Sequence, residues 1–201
     1  MPGYGSFIDW PPGLPHCGRI LRPVVSIAVG LWSKSEVRWS GNLILVTVGM
    51  HNQPFDRLVK AADGFAGLID EDVIIQRGNS SYLPQTAQHF QWASSQEMDE
   101  LINKARVVVS HAGAGTIIQC LLARKPLVAV PRLKKFGEHF DNHQTQLVAA
   151  LVQSNRALSV GILDKDSLAL AVQKASHFEQ VIASSNELAG SLRSLITQWD
   201  R

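Results

Sequence analysis

Cysteine is scarce in this 201-residue chain, which contains only Cys17 and Cys120. Two cysteines cannot form a disulfide framework or the paired CxxC motifs of a structural zinc site. The longest uninterrupted apolar stretches reach about ten residues, well below the roughly 18 that a membrane-spanning helix needs. Residues 1–23 also lack the basic start and apolar core of a signal peptide. We therefore expect a cytoplasmic protein.

The chain also has little excess charge of either sign. Its formal net charge is +2, and residues 43–201 hold fifteen basic and fifteen acidic side chains. Nucleic-acid binding rests on the neutralisation of phosphates by clustered lysine and arginine. A neutral domain without a basic stripe is a poor match, so nucleic acid is not expected as a partner.

The first 42 residues differ in composition from the rest. They contain five of the nine prolines, six of the fifteen glycines and three of the five tryptophans. Because proline fixes φ and removes a hydrogen-bond donor, this composition disfavours helices and central strands. We predict an irregular extension over residues 1–42 and one domain over residues 43–201. The extension either packs loosely on the domain or docks on a membrane or partner through its tryptophans.

From residue 43 onward, short apolar runs alternate with amphipathic segments. The runs predict strands at 43–48, 73–76, 88–92, 107–110, 127–130 and 157–160. The amphipathic segments predict helices at 55–68, 95–105, 115–123, 141–152, 164–175 and 178–199. This alternation predicts an α/β fold with a parallel sheet and helices on both faces. Ligands of such sheets bind beyond the carboxyl ends of the strands.

A glycine-rich loop, SHAGAGT, follows the fourth predicted strand at residues 110–116. Small residues between a strand and a helix let backbone N–H groups approach an anion, which the helix dipole also favours. The loop therefore predicts phosphate binding, although its glycines could equally serve close packing of helix and strand. A P-loop is excluded because GxxxxGK is absent, and the third glycine of a dinucleotide fingerprint is missing.

The loop after the fifth predicted strand, PRLKKFGEHFDNHQ at residues 131–144, is rich in polar side chains. Its basic, acidic, imidazole and amide groups suit a polar ligand such as a sugar. His139 and His143 are four residues apart and could bind a metal together with His111. However, Phe140 stands where a zincin motif needs glutamate, so no metal is expected.

Six motifs together resemble the carboxyl-terminal domain of the family 28 glycosyltransferases. In chain order they are VTVG, PFDRLV, QRGNSSY, SHAGAGTI, KPLVAVPR and FGEHFDNHQ. The resemblance covers about residues 43–160 and is closest to short, free-standing members, the PssE-like and Alg-type subunits, with MurG more distant. It implies a Rossmann-like domain that is one half of a GT-B fold.

The resemblance also implies a function. The chain would be the donor-binding, catalytic half of a UDP-sugar-dependent hexosyltransferase in polysaccharide or lipid-linked glycan synthesis. A separate membrane-associated subunit would bind the lipid-linked sugar acceptor and hold this chain at the cytoplasmic membrane. No metal or other cofactor is implied, because helix dipoles and hydrogen-bond donors stabilise the departing diphosphate.

Individual site residues follow from the same resemblance. Four residues of the glycine-rich loop would hold the diphosphate: Gly113, Ala114, Gly115 and Thr116. Gly49 would face them across the cleft, and His111 would lie at the base of the site. Contacts to the sugar or diphosphate are implied for Glu138, His139, Asp141, His143 and Gln144.

Three points stay open in this assignment. Gln119 stands where relatives carry a ribose-binding glutamate, and an amide there loses a charge-assisted hydrogen bond. The general base of similar transferases commonly comes from the acceptor domain, and the candidates in this chain are His139 and Glu138, provided that they reach the acceptor hydroxyl. A glucuronate donor would want a further cation, for which Arg132, Lys134 and Lys135 are available.

Two other functions compete with this one. The first is a non-catalytic nucleotide-sugar-binding module or regulatory subunit, suggested by Gln119 and by the missing acceptor domain. The second is a nucleotide-sugar epimerase or NAD-type oxidoreductase, which rests on the GAG sequence alone. The incomplete glycine fingerprint argues against the second.

Overall fold

The computed structural model describes residues 42–177 and contains one six-stranded sheet within this range. The strands are β1 (Leu43–Thr47), β2 (Asp72–Gln76), β3 (Gln88–Phe90), β4 (Ala105–Ser110), β5 (Leu127–Ala129) and β6 (Leu158–Ser159). Their order is β3-β2-β1-β4-β5-β6, and every pair is parallel. The predicted extension up to residue 41 and the predicted helix at 178–199 lie outside the described residues.

Residues 42–177 contain five α-helices, of which the first four connect strands and the fifth follows β6. They are α1 (Asp56–Ala66), α2 (Ser95–Lys104), α3 (Ala114–Leu122), α4 (His143–Gln153) and α5 (Lys165–Ala175). A short 3₁₀ turn, Lys134–Phe136, interrupts the long loop after β5. The α/β prediction is confirmed, and the fold is Rossmann-like. One boundary matters for the site: α4 begins at residue 143, two residues later than predicted, so Asp141 belongs to the loop.

Two apolar cores lie on opposite faces of the sheet. Strand β1 supplies both, because successive side chains of a strand point to opposite faces. Ile44 and Val46 pack with the apolar faces of α1 and α5, while Leu43 and Leu45 pack with those of α2, α3 and α4. All five residues of β1 are buried, as expected of a central strand in a two-faced parallel sheet.

No helix within residues 42–177 is long and apolar enough to cross a bilayer.

Candidate functional site

Three loops meet at the carboxyl edge of the sheet, where β1 lies between β2 and β4. The strand order reverses between β1 and β4, and ligands of open α/β sheets bind at such a switch point. The loop after β1 runs over residues 48–55, the loop after β4 over 111–113, and the loop after β5 over 130–142. The sequence places the candidate residues in these loops and in the first two turns of the helices α3 and α4 that follow two of them.

His111 fills the space between two of these loops. It is buried, and its imidazole packs against Gly49 and Gly113. A Cβ on Gly49 would lie 2.3 Å from Cε1 of His111, and one on Gly113 would lie 2.2 Å from Nε2. Gly49 also has a φ of +73°, in the left-handed region that favours glycine. Both glycines are therefore needed for the imidazole to fit, whatever else they contact.

The N-terminus of α3 is open. Gly113 is its N-cap, and no side chain within residues 42–177 caps the helix. A Cβ on Gly115 would meet no atom of these residues within 4 Å, in contrast to those on Gly49 and Gly113. The first N–H groups of a helix have no intrahelical partner, and the dipole makes this end positive. The predicted diphosphate loop thus has the form of an anion site, with space beside Gly115.

Gln76, at the end of β2, holds the turn at Gly49. Its Oε1 accepts hydrogen bonds from the backbone N–H of Val48 at 3.1 Å and that of Gly49 at 2.9 Å. Its Nε2 donates to the carbonyl of Gly49 at 3.0 Å. This buried amide fixes the backbone that faces α3. Sequence reasoning missed Gln76, and the available signal was a polar side chain ending an otherwise apolar strand.

Glu138 is buried and engaged through both carboxylate oxygens. Arg57 donates to it from Nε at 2.9 Å and from Nη2 at 2.8 Å, and the backbone N–H of Leu133 donates at 2.9 Å. A general base needs a free lone pair within reach of the acceptor hydroxyl. These contacts favour a positioning role for Glu138 in the loop after β5 and leave His139 as the better candidate for the base.

His139, Asp141 and His143 form a polar group at the entrance to α4. The Nδ1 atom of His139 lies 3.0 Å from Oδ1 of Asp141, and the backbone N–H of His143 donates to the same oxygen at 3.0 Å. That backbone hydrogen bond is the main cause that lowers the pKa of Asp141. Asp141 is therefore ionised at neutral pH and able to orient His139.

The loop after β1 contributes a further histidine to this group, which the sequence prediction omitted. The rings of His51 and His139 are 5.0 Å apart between centroids, and His51 also lies 5.7 Å from the exposed ring of Phe140. Burial, followed by the charges of Arg132 and His139, lowers the pKa of His51. The signal available in the sequence was its position, two residues after Gly49.

The two glutamines predicted to contact the ligand both form hydrogen bonds within the protein. Gln144 accepts a hydrogen bond from the backbone N–H of Arg132 at 2.9 Å. Gln119, in the second turn of α3, donates to Asp99 of α2 at 2.9 Å. The proposed ribose contact of Gln119 stays a prediction, and it would require the amide to exchange Asp99 for the ligand.

The guanidinium of Arg132 is engaged within the protein and is not exposed to pair directly with a sugar carboxylate. Its side chain is buried, and its guanidinium donates to backbone carbonyls of the protein itself. Lys134 and Lys135 are exposed on the 3₁₀ turn. No cluster of histidine, cysteine or carboxylate side chains within residues 42–177 is suited to hold a metal ion.

The buried imidazole of His111 predicts a pH-dependent stability. Burial first, and the charge of Arg132 second, lower the pKa of His111 to about 4. Between pH 6.5 and pH 4 the imidazole of His111 is therefore protonated in the unfolded chain but neutral in the folded protein. We expect the free energy of unfolding to decrease as the pH is lowered from 6.5 to 4, by about 3 kcal/mol for a shift of this size. Urea unfolding at a series of pH values measures it.

The variant His111→Asn is expected to flatten this profile, since asparagine does not titrate. The exposed His177, replaced in the same way, is a matched control that should leave the profile unchanged. An equal slope in the wild type and in His111→Asn contradicts the assignment of the effect to His111.

Comparison with known proteins finds a matching family and solved structures with a similar fold. Residues 43–194 match the model of the "Glycosyltransferase family 28 C-terminal domain". CalG4, the calicheamicin glycosyltransferase, has 16% identity and a TM-score of 0.53, over 82% of this chain and 46% of its own. Os79 from O. sativa, solved in complex with UDP, has 14% identity and a TM-score of 0.55, over 75% of this chain and 35% of its own.

A third similar structure is the glycotransferase of kitacinnamycin, with 20% identity and a TM-score of 0.54, over 87% of this chain and 43% of its own. The structural likeness shows a shared fold of the GT-B type, and the chain spans less than half the length of each of these structures. No curated protein matched the chain. Because the family model covers most of the sequence, the chain belongs to the glycosyltransferase family 28 C-terminal domain family.

Proposed function

We propose that this chain is the donor-binding half of a glycosyltransferase that uses a UDP-sugar. The observation that carries the proposal is the open N-terminus of α3, which faces the Gly49 turn at the switch point of the sheet. Backbone N–H groups of Ala114, Gly115 and Thr116 would hold the diphosphate there, and the helix dipole would stabilise the charge of the departing UDP. No metal ion is needed for this role.

The loop after β5 would then bind the sugar. His143 and Asp141 stand at its entrance to α4, and His139 is paired with Asp141. His139, held in place by that carboxylate, could take the proton of an acceptor hydroxyl while the hydroxyl oxygen bonds to the sugar and the bond from the sugar to the diphosphate breaks, which releases UDP. Gln144 is tied to the backbone of Arg132, so it shapes this loop in addition to any sugar contact.

The acceptor would come from a second polypeptide. We infer an arrangement like that of the PssE-like and Alg-type subunits, which the motifs of this chain resemble, in which a membrane-associated partner binds a lipid-linked acceptor. This chain would then lie at the cytoplasmic membrane through its partner, with residues 43–201 as the nucleotide-sugar domain and residues 1–42 as an extension.

Calorimetric titration tests the donor assignment. The purified chain is titrated with UDP, UDP-glucose, UDP-glucuronate, UDP-N-acetylglucosamine and NAD, each with and without EDTA. We expect binding of UDP and preference for one UDP-sugar, unaffected by EDTA. Retention of NAD without UDP would identify a dinucleotide enzyme instead and would contradict the proposal.

A second candidate function is a nucleotide-sugar-binding module without catalysis. It is favoured by the contact of Gln119 with Asp99, which occupies the side chain expected to bind ribose. Reconstitution with a neighbouring acceptor-domain subunit separates the two functions. Sugar transfer by the pair contradicts the module, whereas UDP binding without transfer by a correctly assembled pair favours it.

A further inference from the structure

Arg132 is an arginine buried among backbone carbonyls. Its side chain is only 1% exposed, and its Nη1 and Nη2 atoms donate to four carbonyl oxygens. These are Gln53 at 2.8 Å, Pro54 at 3.3 Å, Glu138 at 3.1 Å and Val48 at 2.8 Å. Three of the four carbonyls belong to the loop after β1, and the fourth belongs to the loop after β5. One side chain thus ties together the two loops that border the candidate site.

The charge of Arg132 is only partly compensated by the protein. Its neighbour Glu138 accepts a hydrogen bond through the backbone carbonyl, and the carboxylate of Glu138 attracts the guanidinium through space while it binds Arg57 and the N–H of Leu133. The ring of Phe55 lies 4.9 Å from the guanidinium carbon. Burying a cation costs free energy unless carbonyls, aromatic faces or an anion offset the loss of water. Burial lowers the pKa of Arg132 to about 10, so it is still charged at neutral pH.

The electric field of Arg132 reaches the candidate site. Besides burial, its charge contributes to the lowered pKa of His111, which packs between Gly49 and Gly113, and of His51 in the loop after β1. A charge that disfavours protonation of two imidazoles favours an anion in the same place. The other charged or titratable groups nearby are His139 and the paired Arg57 and Glu138.

We propose that Arg132 is a positioning residue of the donor site, which fixes the loops after β1 and β5 to each other and favours an anionic ligand through its buried charge. The proposal rests on the proposed function, since the anion is taken to be the diphosphate of the donor. Arg132 makes no contact with the ligand in this role. Its two effects are separable, because loop geometry acts on any ligand whereas charge acts only on an anion.

The test compares UDP with uridine, which lacks the phosphates. Both ligands are titrated into the wild type, Arg132→Met, Arg132→Lys and Lys134→Met, and the folded state of each variant is checked by circular dichroism and melting. Arg132→Met is expected to lower the preference for UDP over uridine about tenfold, as for a unit charge roughly 10 Å away at an effective dielectric constant of about 20. Arg132→Lys should keep the preference but weaken both ligands, because an ammonium cannot reach four carbonyls.

The exposed Lys134 is the matched control. Lys134→Met removes the same charge two residues away, where water screens it, and should change neither affinity. An unchanged UDP preference in Arg132→Met overturns the charge role, and wild-type affinities in Arg132→Lys overturn the positioning role. If Arg132→Met does not fold, Arg132→Lys decides, and loss of the UDP preference in that folded variant overturns the proposal.

Failure of the proposed function would look different. If the wild type binds no UDP, the donor assignment fails. The pKa of His51 then measures the electric field of Arg132 without any ligand. Titration followed by NMR should then show a higher pKa of His51 in Arg132→Met than in the wild type and in Lys134→Met. An unchanged pKa of His51 overturns the proposal about Arg132 independently of any ligand.

Discussion

Replacing Gly115 by valine is expected to weaken UDP binding at least about a hundredfold while the domain stays folded. A Cβ on Gly115 would meet no atom of residues 42–177 within 4 Å, so no contact within this part of the chain requires a glycine there. In a helix, glycine is less favourable than alanine by about 1 kcal/mol. The open space beside the uncapped N–H groups of α3 is where the proposal puts the diphosphate, and a branched side chain would fill it.

Gly113→Ala is the matched control for this result. The added methyl would lie 2.2 Å from Nε2 of the buried His111, so the ring or the loop must shift. We expect a loss of about 1–3 kcal/mol in the free energy of unfolding, typical of overpacking. Gly115→Ala, with the same added methyl two residues along, should instead keep or raise the melting temperature. Opposite stability effects in the two variants show that these glycines have different roles.

His143→Ala tests the opposite wall of the site in the same titration. Its side chain is about half exposed, at 51%, so the fold should tolerate the change. Loss of UDP binding in Gly115→Val and in His143→Ala, both with wild-type melting curves, agrees with one donor site between the loops after β4 and β5. Normal UDP binding in both variants would contradict the donor site.

Much of this architecture could be predicted from the sequence, because local patterns carry it. The run at Leu43–Val46 is apolar on both faces, as expected of a central strand in a parallel sheet that helices cover on both sides. The small residues of the loop at 111–116 gave the position of the helix N-terminus to within one residue. Such features depend on neighbours in the chain, and strand and helix periods report them directly.

The contacts that shape the site could not be predicted in the same way, because they join distant segments. Arg132 reads as one of three basic residues in a polar loop, yet 84 positions separate it from its partner Val48. Glu138 reads as a candidate base until its pairing with Arg57, 81 positions away, is known. Burial of a charged side chain is decided by the tertiary fold, and local composition favours the opposite expectation for arginine and glutamate.

The buried carboxylate of Asp63 anchors the loop after β2, and this loop in turn supports the Gly49 turn. Asp63, on α1, is 3% exposed and accepts four hydrogen bonds. The donors are the hydroxyl of Tyr82 and the N–H groups of Gln85, Thr86 and Ala87, all at 2.8 or 2.9 Å. Burial raises the pKa of Asp63, but these hydrogen bonds outweigh it and leave the pKa below its usual value.

The same loop contacts the candidate site directly. Asn79 donates to the carbonyl of His51 at 3.1 Å, and Ser80 accepts from the N–H of Phe55 at 3.0 Å. Gly78, with a φ of +53°, lies so close to Gly49 that a Cβ would come within 2.8 Å of its carbonyl oxygen. Displacement of this loop would therefore release one side of the turn that faces α3.

Asp63→Asn is accordingly expected to lower the free energy of unfolding by about 3 kcal/mol. The amide keeps one oxygen for two of the donors but turns an NH₂ group toward Gln85, where two donors then face each other. Hydrogen bonds to a charged group are each worth about 1.5–3 kcal/mol, and an unpaired buried donor adds a further cost. Urea unfolding at pH 7 measures the difference, and UDP titration should show weaker binding through the loosened turn.

Controls separate this effect from a general change of charge. Asp70→Asn, at an exposed position, should change the free energy of unfolding by no more than about 0.5 kcal/mol. Tyr82→Phe removes one of the four donors and should cost about 1 kcal/mol. The hydrogen bonds that lower the pKa of Asp63 stabilise only its ionised form. The difference in the free energy of unfolding between the wild type and Asp63→Asn should therefore close as the pH falls through that pKa. A gap that is constant down to pH 2 would show that Asp63 acts by shape and not by charge.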